Sequence, residues 1–230
     1  MKSNLKLSTL LFALLFTCGF AKAQGGFDGR GSSQYATDAN GGALMTAESV
    51  DSGNPFFSTD WVKADVKFKN GNEQKDKVVK YSDLKDILYT QAPGNQYGLF
   101  DTPVSEFTIY NTDGTTAHFS VFPGNGKTAD DAFFQVLADG KVKLLKKNAK
   151  AISESKAGIG TAVVTKMVVD NIDYYLLIDG KAVRIKKDKK AIETALGSKQ
   201  TELDAYIQTN KLSLKKDEDV AKLITYYNTL

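Results

Sequence analysis

FFQVLADGKVKLLKK, residues 133–147, and YYLLIDGKAVRIKK, residues 174–187, decide how this chain folds. Each copy runs from an aromatic pair through an apolar stretch to Asp-Gly-Lys. An apolar/basic alternation and a Lys-Lys pair follow. Asp-Gly between two β-rich runs is a strong hairpin signal, because a tight turn needs positive φ and glycine supplies it without steric cost. The pattern predicts two β-hairpins built alike, turning at Asp139-Gly140 and Asp179-Gly180.

Upstream of these copies the period remains two. From Trp61, Val62, Ala64, Val66 and Phe68 alternate with Lys63, Asp65, Lys67 and Lys69, which predicts a strand with one buried and one wet face. Asn70-Gly71 turns the chain into Lys77–Tyr81, and Asp86–Thr90 and Gln96–Phe100 follow as short strands. Phe107–Tyr110 and Ala117–Phe122 flank a further Asp-Gly turn at Asp113-Gly114. Between the matching copies, Gly158-Ile159-Gly160 breaks the joint Lys150–Val169, and Thr161–Val169 is β-branched enough for a strand.

Downstream of Lys187 the period lengthens to about 3.6. Asp188 is the expected N-cap of a helix whose stripe is Ala191, Ile192, Ala195 and Leu196 and whose stop is Gly197. Leu203, Tyr206 and Ile207 mark a second helix. Asp217 is the expected cap of a third, with Val220, Leu223, Ile224 and Tyr227 on one face. The predicted class is therefore α+β. An antiparallel β-meander of hairpins forms a curved sheet over residues 60–187, C-terminal helices follow over 188–230, and together they make a single domain. Two copies with unlike spacing do not make a solenoid.

The N-terminus reads as a targeting segment. Lys2 and Lys6 precede the apolar run Leu10–Phe16, and Ala21-Lys22-Ala23 is an A-x-A cleavage site, so residues 1–23 are an expected signal peptide and Gln24 the expected new terminus. The run is too short to span a membrane as a helix. Leu15-Phe16-Thr17-Cys18 is a weaker, lipoprotein-like alternative that would place a lipid on Cys18. The expected localisation is periplasmic or extracellular. The formal charge of +3 comes from Lys2, Lys6 and Lys22, and cleavage leaves 27 basic residues against 27 acidic ones. That balance gives no reason to expect a nucleic acid partner. Cys18 is the only cysteine, so burial rather than disulfides must hold the exported chain together. Residues 24–59 are rich in Gly, Ser, Ala and Asn and predict a flexible arm. The alternative is a segment that orders on a partner or along a sheet edge, with Tyr35, Leu44 and Met45 as anchors.

Gly53-Asn54-Pro55-Phe56 before Trp61, the Asn70-Gly71 turn, Tyr81 with Leu84, Val104-x-Glu106-Phe107, Phe134–Leu145 and the tail Tyr226-Tyr227-Asn228 carry a resemblance. Over most of Gly53–Leu230 the chain resembles a broad group of uncharacterised secreted proteins of Bacteroidetes-type bacteria. The resemblance implies an envelope location and supplies no activity.

Candidate chemistry is sparse. His118 is the sole histidine and lies opposite in parity to Phe119 and Val121, so it is expected to face solvent. Alone and without cysteine it cannot build a zinc site, and no G-x-S-x-G elbow presents a nucleophile. Gly124-Asn125-Gly126-Lys127-Thr128 ends like a phosphate loop, but Val121 stands where that loop needs glycine. Asp130-Asp131, or Asp170 with Asp173, could serve a hydrolase that works with paired carboxylates; turn residues and solvated faces are the plainer reading. No cofactor and no catalytic residue is expected.

The unusual feature is basic. Lys141, Lys143, Lys146 and Lys147 leave the first hairpin, and Lys181, Arg184, Lys186 and Lys187 leave the second, with Lys150, Lys189 and Lys190 beyond. If the hairpins lie side by side, these residues make a patch for an anionic partner: an acidic face of an envelope protein, a lipid headgroup or an acidic glycan. The plainer reading is a soluble face on which lysine discourages edge-to-edge aggregation. Stacking aromatics of the kind nucleic acid uses would lie between the charges, whereas Phe133, Phe134, Tyr174 and Tyr175 precede the turns. The expected role is a non-catalytic binding or structural module of the envelope. The alternative is a carrier or sensor that cups an apolar or anionic ligand against Trp61 and the aromatic pairs.

Overall fold

Where the sequence alternates most cleanly, that alternation becomes alternation of burial. In Val62–Phe68 (β3) Val62, Ala64, Val66 and Phe68 are buried and Lys63 and Lys67 are exposed. The structure, a computed structural model, describes residues 36–37, 43–45, 50–123, 131–156 and 164–230. These belong to one unit, Gln34–Leu230. The expected signal peptide, Cys18, Tyr35, the Gly124–Thr128 turn, Asp130 and the Gly158-Ile159-Gly160 break lie outside the described residues.

The strands are Ala36–Thr37 (β1), Ala43–Met45 (β2), β3, Glu73–Ser82 (β4), Ile87–Ala92 (β5), Gln96–Gly98 (β6), Val104–Tyr110 (β7) and Thr116–Phe122 (β8). Ala132–Ala138 (β9), Val142–Asn148 (β10), Ala151–Lys156 (β11), Val164–Val169 (β12), Ile172–Ile178 (β13) and Lys181–Ile185 (β14) follow. Three helices close the chain: Lys189–Leu196 (α1), Gln200–Thr209 (α2) and Asp217–Tyr227 (α3). Twelve strands form one open antiparallel sheet in the order β1-β2-β6-β5-β4-β3-β7-β8-β9-β10-β13-β14, and β11 pairs with β12 as a separate ribbon. The fold is thus an α+β antiparallel meander followed by helices. Two strands of the expected arm extend the sheet beyond β6: β2 pairs with β6, with Leu44 opposite Gly98, and β1 pairs with β2. The strand β11 carries little apolar pattern and was not marked by the sequence.

The sheet curls strongly. Four strand steps separate β4 from β9, roughly 19 Å in a flat sheet, yet the rings of Tyr81 and Phe133 are 5.9 Å apart. Phe107 stacks on Phe119 at 4.7 Å inside the curl, and Phe57 closes on Phe119 from the segment before β3. Beyond β9 the same face is covered by helices instead. Leu144 and Leu176 bury there against Ile192, Leu203, Val220, Leu223 and Ile224.

Helix α1 starts and stops as expected. The Asp188 carboxylate accepts from the Ala191 N–H at 2.8 Å, and Gly197 ends the helix at φ 71°. Helix α3 differs from expectation: Lys216 is its N-cap, and Asp217 is its first residue, with its carboxylate turned to other partners.

Candidate functional site

The two matching hairpins lie side by side. β10 pairs with β13 from Val142 opposite Ile178 to Asn148 opposite Ile172, so both Asp-Gly turns stand at the same end of the sheet. The turns themselves differ. Asp179 (φ 48°) and Gly180 (φ 75°) form a two-residue turn closed by Ile178 and Lys181. The first hairpin closes only at Ala138 opposite Leu144, which leaves a five-residue loop, Asp139–Lys143, on the β9 side, and its register shifts at Leu144/Leu145. An odd-numbered difference in loop length, here three residues, moves the side chains that follow to the other face. Accordingly Lys146 of the first copy and Lys187, not Lys186, of the second share the helix-covered face.

Both lysines converge on Asp217. Its carboxylate accepts from Lys146 Nζ at 2.7 Å, from Lys187 Nζ at 2.5 Å and from the Tyr174 hydroxyl at 2.8 Å. The first turn of α3 adds the positive end of a helix dipole. Burial pushes the Asp217 carboxyl up, but these donors outweigh it and leave it below its usual range. Burial likewise works against the Lys187 ammonium, and Asp217 and Tyr174 hold its pKa above the usual lysine value. Lys187 also lies over the Tyr174 ring at 4.5 Å.

The other basic residues divide. Lys147 donates to Asp86 at 2.6 Å and to the Phe133 carbonyl at 2.8 Å. Lys143 pairs with Asp139, and Arg184 with Asp173. Lys141, Lys181 and Lys186 are exposed and form no ion pair among the described residues. Ile172–Tyr174 and Arg184–Lys187 line an open groove of about 510 Å³. Side chains from both faces line it, so the groove lies over the end of β13 and β14, where the sheet stops.

Family models, curated proteins and solved structures give no match to this chain.

A second polar cluster ties the margins of the curl together. The Asp86 carboxylate accepts from the Tyr81 hydroxyl at 2.5 Å and from the Phe133 N–H at 3.1 Å, besides Lys147. Lys150 donates to the carbonyls of Asn54 and Phe56 and stands 3.7 Å from Asp83 and from Asp170. Asp83 has a side chain only 3% exposed. Its pKa rises to about 6, because desolvation outweighs the nearby Lys150 and Lys147. Burial and Asp86 hold the Tyr81 hydroxyl well above its usual range. Beside this cluster is a cavity of about 60 Å³, reached by Tyr81, Asp83, Phe133 and Asn148. The sequence marks Asp86 only as the start of an expected strand and Asp83 as a residue between strands; nothing local announces Lys147 and Lys150, more than sixty residues away.

His118 Nδ1 is 3.0 Å from the Thr108 hydroxyl, and its Nε2 is 3.8 Å from Glu106. Asp170 faces Asn148 and Lys150, while Asp173 holds Arg184, so each carboxylate serves a different base. Asp131 pairs with Lys69. Among the described residues no three His, Cys, Asp or Glu side chains are grouped to hold a metal, and no helix is long and apolar enough to cross a membrane.

Proposed function

We propose that this chain is an exported, non-catalytic binding module of the cell envelope, and that the groove over the end of β13 and β14 is its contact surface for an anionic partner. The observation that carries this reading is the charge balance at the groove. One carboxylate, Asp217, serves two ammonium groups, Lys146 and Lys187. Arg184 is matched by Asp173, and Lys186 stands exposed beside them. The groove is therefore left with surplus positive charge around the aliphatic and aromatic surface of Ile172, Tyr174 and Ile185. Surplus charge on an otherwise balanced chain favours encounter with anions. The carrier reading has less behind it. Aromatic rings fill the curl, and its cavity of about 60 Å³ falls far below the roughly 300 Å³ at which small-molecule pockets begin.

Retention on washed envelopes tests the proposal. Wild-type protein should sediment with envelopes and be released by salt, and Arg184→Gln with Lys186→Gln should stay in the supernatant. Equal retention of the double variant would sink the groove as the contact surface. N-terminal sequencing of the exported protein should begin at Gln24, and an uncleaved terminus would sink the export reading.

A further inference from the structure

The groove sits at the free edge of a sheet, and that edge has a chemistry of its own. β14 is the last strand, five residues long and paired with β13 without a bulge. Among the described residues no strand pairs with its outer side. In a two-residue hairpin the residues flanking the turn form a mutually hydrogen-bonded pair, and the pairs then alternate. Ile178 and Lys181 are that pair, so the backbone groups of Ala182 and Arg184 point away from β13. On the side chains the period is two: Arg184 and Lys186 stand exposed on one face, while Val183 and Ile185 face the helices on the other.

Resting on the anionic-partner reading above, we infer that β14 receives an extended acidic segment of another protein as a further strand, with acidic and aliphatic residues alternating along it. Strand addition supplies main-chain hydrogen bonds for affinity and leaves alternate side chains to set specificity. Acidic residues of the incoming strand meet Arg184 and Lys186, and the residues between them continue the apolar row of Val183 and Ile185. A second copy of this chain is the wrong occupant. Pairing β14 with itself brings together two edges that carry Lys181, Arg184 and Lys186 and no acidic residue, a gathering of like charge by which edge lysines oppose self-association.

The test uses three blocked peptides, (Glu-Val)4, Glu4Val4 and (Lys-Val)4, together with polygalacturonate, against the purified chain. (Glu-Val)4 should bind in preference to the other two peptides and slow amide exchange at Ala182 and Arg184. Ala182→Pro removes one outward N–H and should weaken that binding by at least about fivefold, the loss expected for one backbone hydrogen bond. Arg184→Glu with Lys186→Glu should reverse the preference toward (Lys-Val)4, and this holds as a test even if the proline variant does not fold. Equal binding of Glu4Val4, or unchanged exchange at Ala182 and Arg184, would overturn strand addition. Polygalacturonate binding that the charge reversal abolishes and Ala182→Pro leaves intact would overturn strand addition while keeping the anionic contact. Failure of every acidic probe to bind would overturn both.

Discussion

The two hairpins share a sequence pattern and differ in what surrounds them. The first is interior to the sheet: β10 lies between β9 and β13, and its loop is fastened from outside. The side-chain amide of Asn228, just past α3, accepts from the Val142 N–H at 2.8 Å and donates to the Val142 carbonyl at 2.8 Å. Val142 pairs with Ile178 of β13 on one side, but the β9 pairing stops at Leu144 and leaves these backbone groups to Asn228. Gly140 sits at φ 152°, where a Cβ would drive into that amide. The second hairpin ends the sheet, and a Cβ on Gly180 would meet nothing within 4 Å. Equal local chemistry thus serves as a locked joint in one place and as an open margin in the other. The number of neighbours decides which.

Breaking the packing of the interior hairpin should have the largest effect. Leu144 is fully buried, so Leu144→Ala should cost about 2–5 kcal/mol in urea unfolding. A loss below about 1 kcal/mol would mean that the helices do not seal that face. Next comes the joint that both hairpins share. Asp217→Ala strands two half-buried ammonium groups and a tyrosine hydroxyl, and should cost about 1–3 kcal/mol. Amide exchange should quicken in both hairpins and at the start of α3, and quickening in one alone would deny the shared role. Asn228→Ala should cost about 1–2 kcal/mol and disturb NMR shifts around Lys141 and Val142 while leaving Gly180 and Lys181 unmoved. Shift changes in both turns would mean that Asn228 does not fasten the first hairpin alone.

The interior hairpin also leads into the cluster around Asp83, which makes stability depend on pH. The Asp83 carboxyl titrates near 3.8 when unperturbed and at about 6 when folded. Between these values the folded protein holds a proton that the unfolded chain releases, so this group's contribution falls as pH rises from about 4 to 6 and is flat above. Asp217, held low, works in the opposite direction and only at more acidic pH. Urea midpoints from pH 4 to pH 7 should decline more steeply for wild type than for Asp83→Asn; parallel curves would count against the buried carboxylate. The smallest effect belongs to the margin. Arg184→Gln removes an exposed ion pair and should change stability by less than about 1 kcal/mol, as measured by the same midpoints.

Much of this architecture was legible from local pattern. Burial alternates in β3 because Val62, Ala64, Val66 and Phe68 alternate. Asp188 caps α1 and Gly197 ends it because carboxylate capping and positive φ are local chemistry. The basic patch was legible only as composition. Its division into clamped and exposed members follows from an odd-numbered, three-residue difference in loop length, and that difference decides which of Lys186 and Lys187 faces Asp217. The residues that join distant segments were not legible at all. Asp83, Asp86 and Asp217 look like ordinary turn and helix-start residues, because a carboxylate carries no mark of a partner far along the chain.

Sequence alone determines most of the elements here, β11 and the cap of α3 excepted, since turns, caps and periods depend on neighbours within a few residues. Tertiary structure decides the curl, the Asp217 joint and the free edge. Each of these depends on which strands end up adjacent, and therefore on which charges are matched and which are left for a partner.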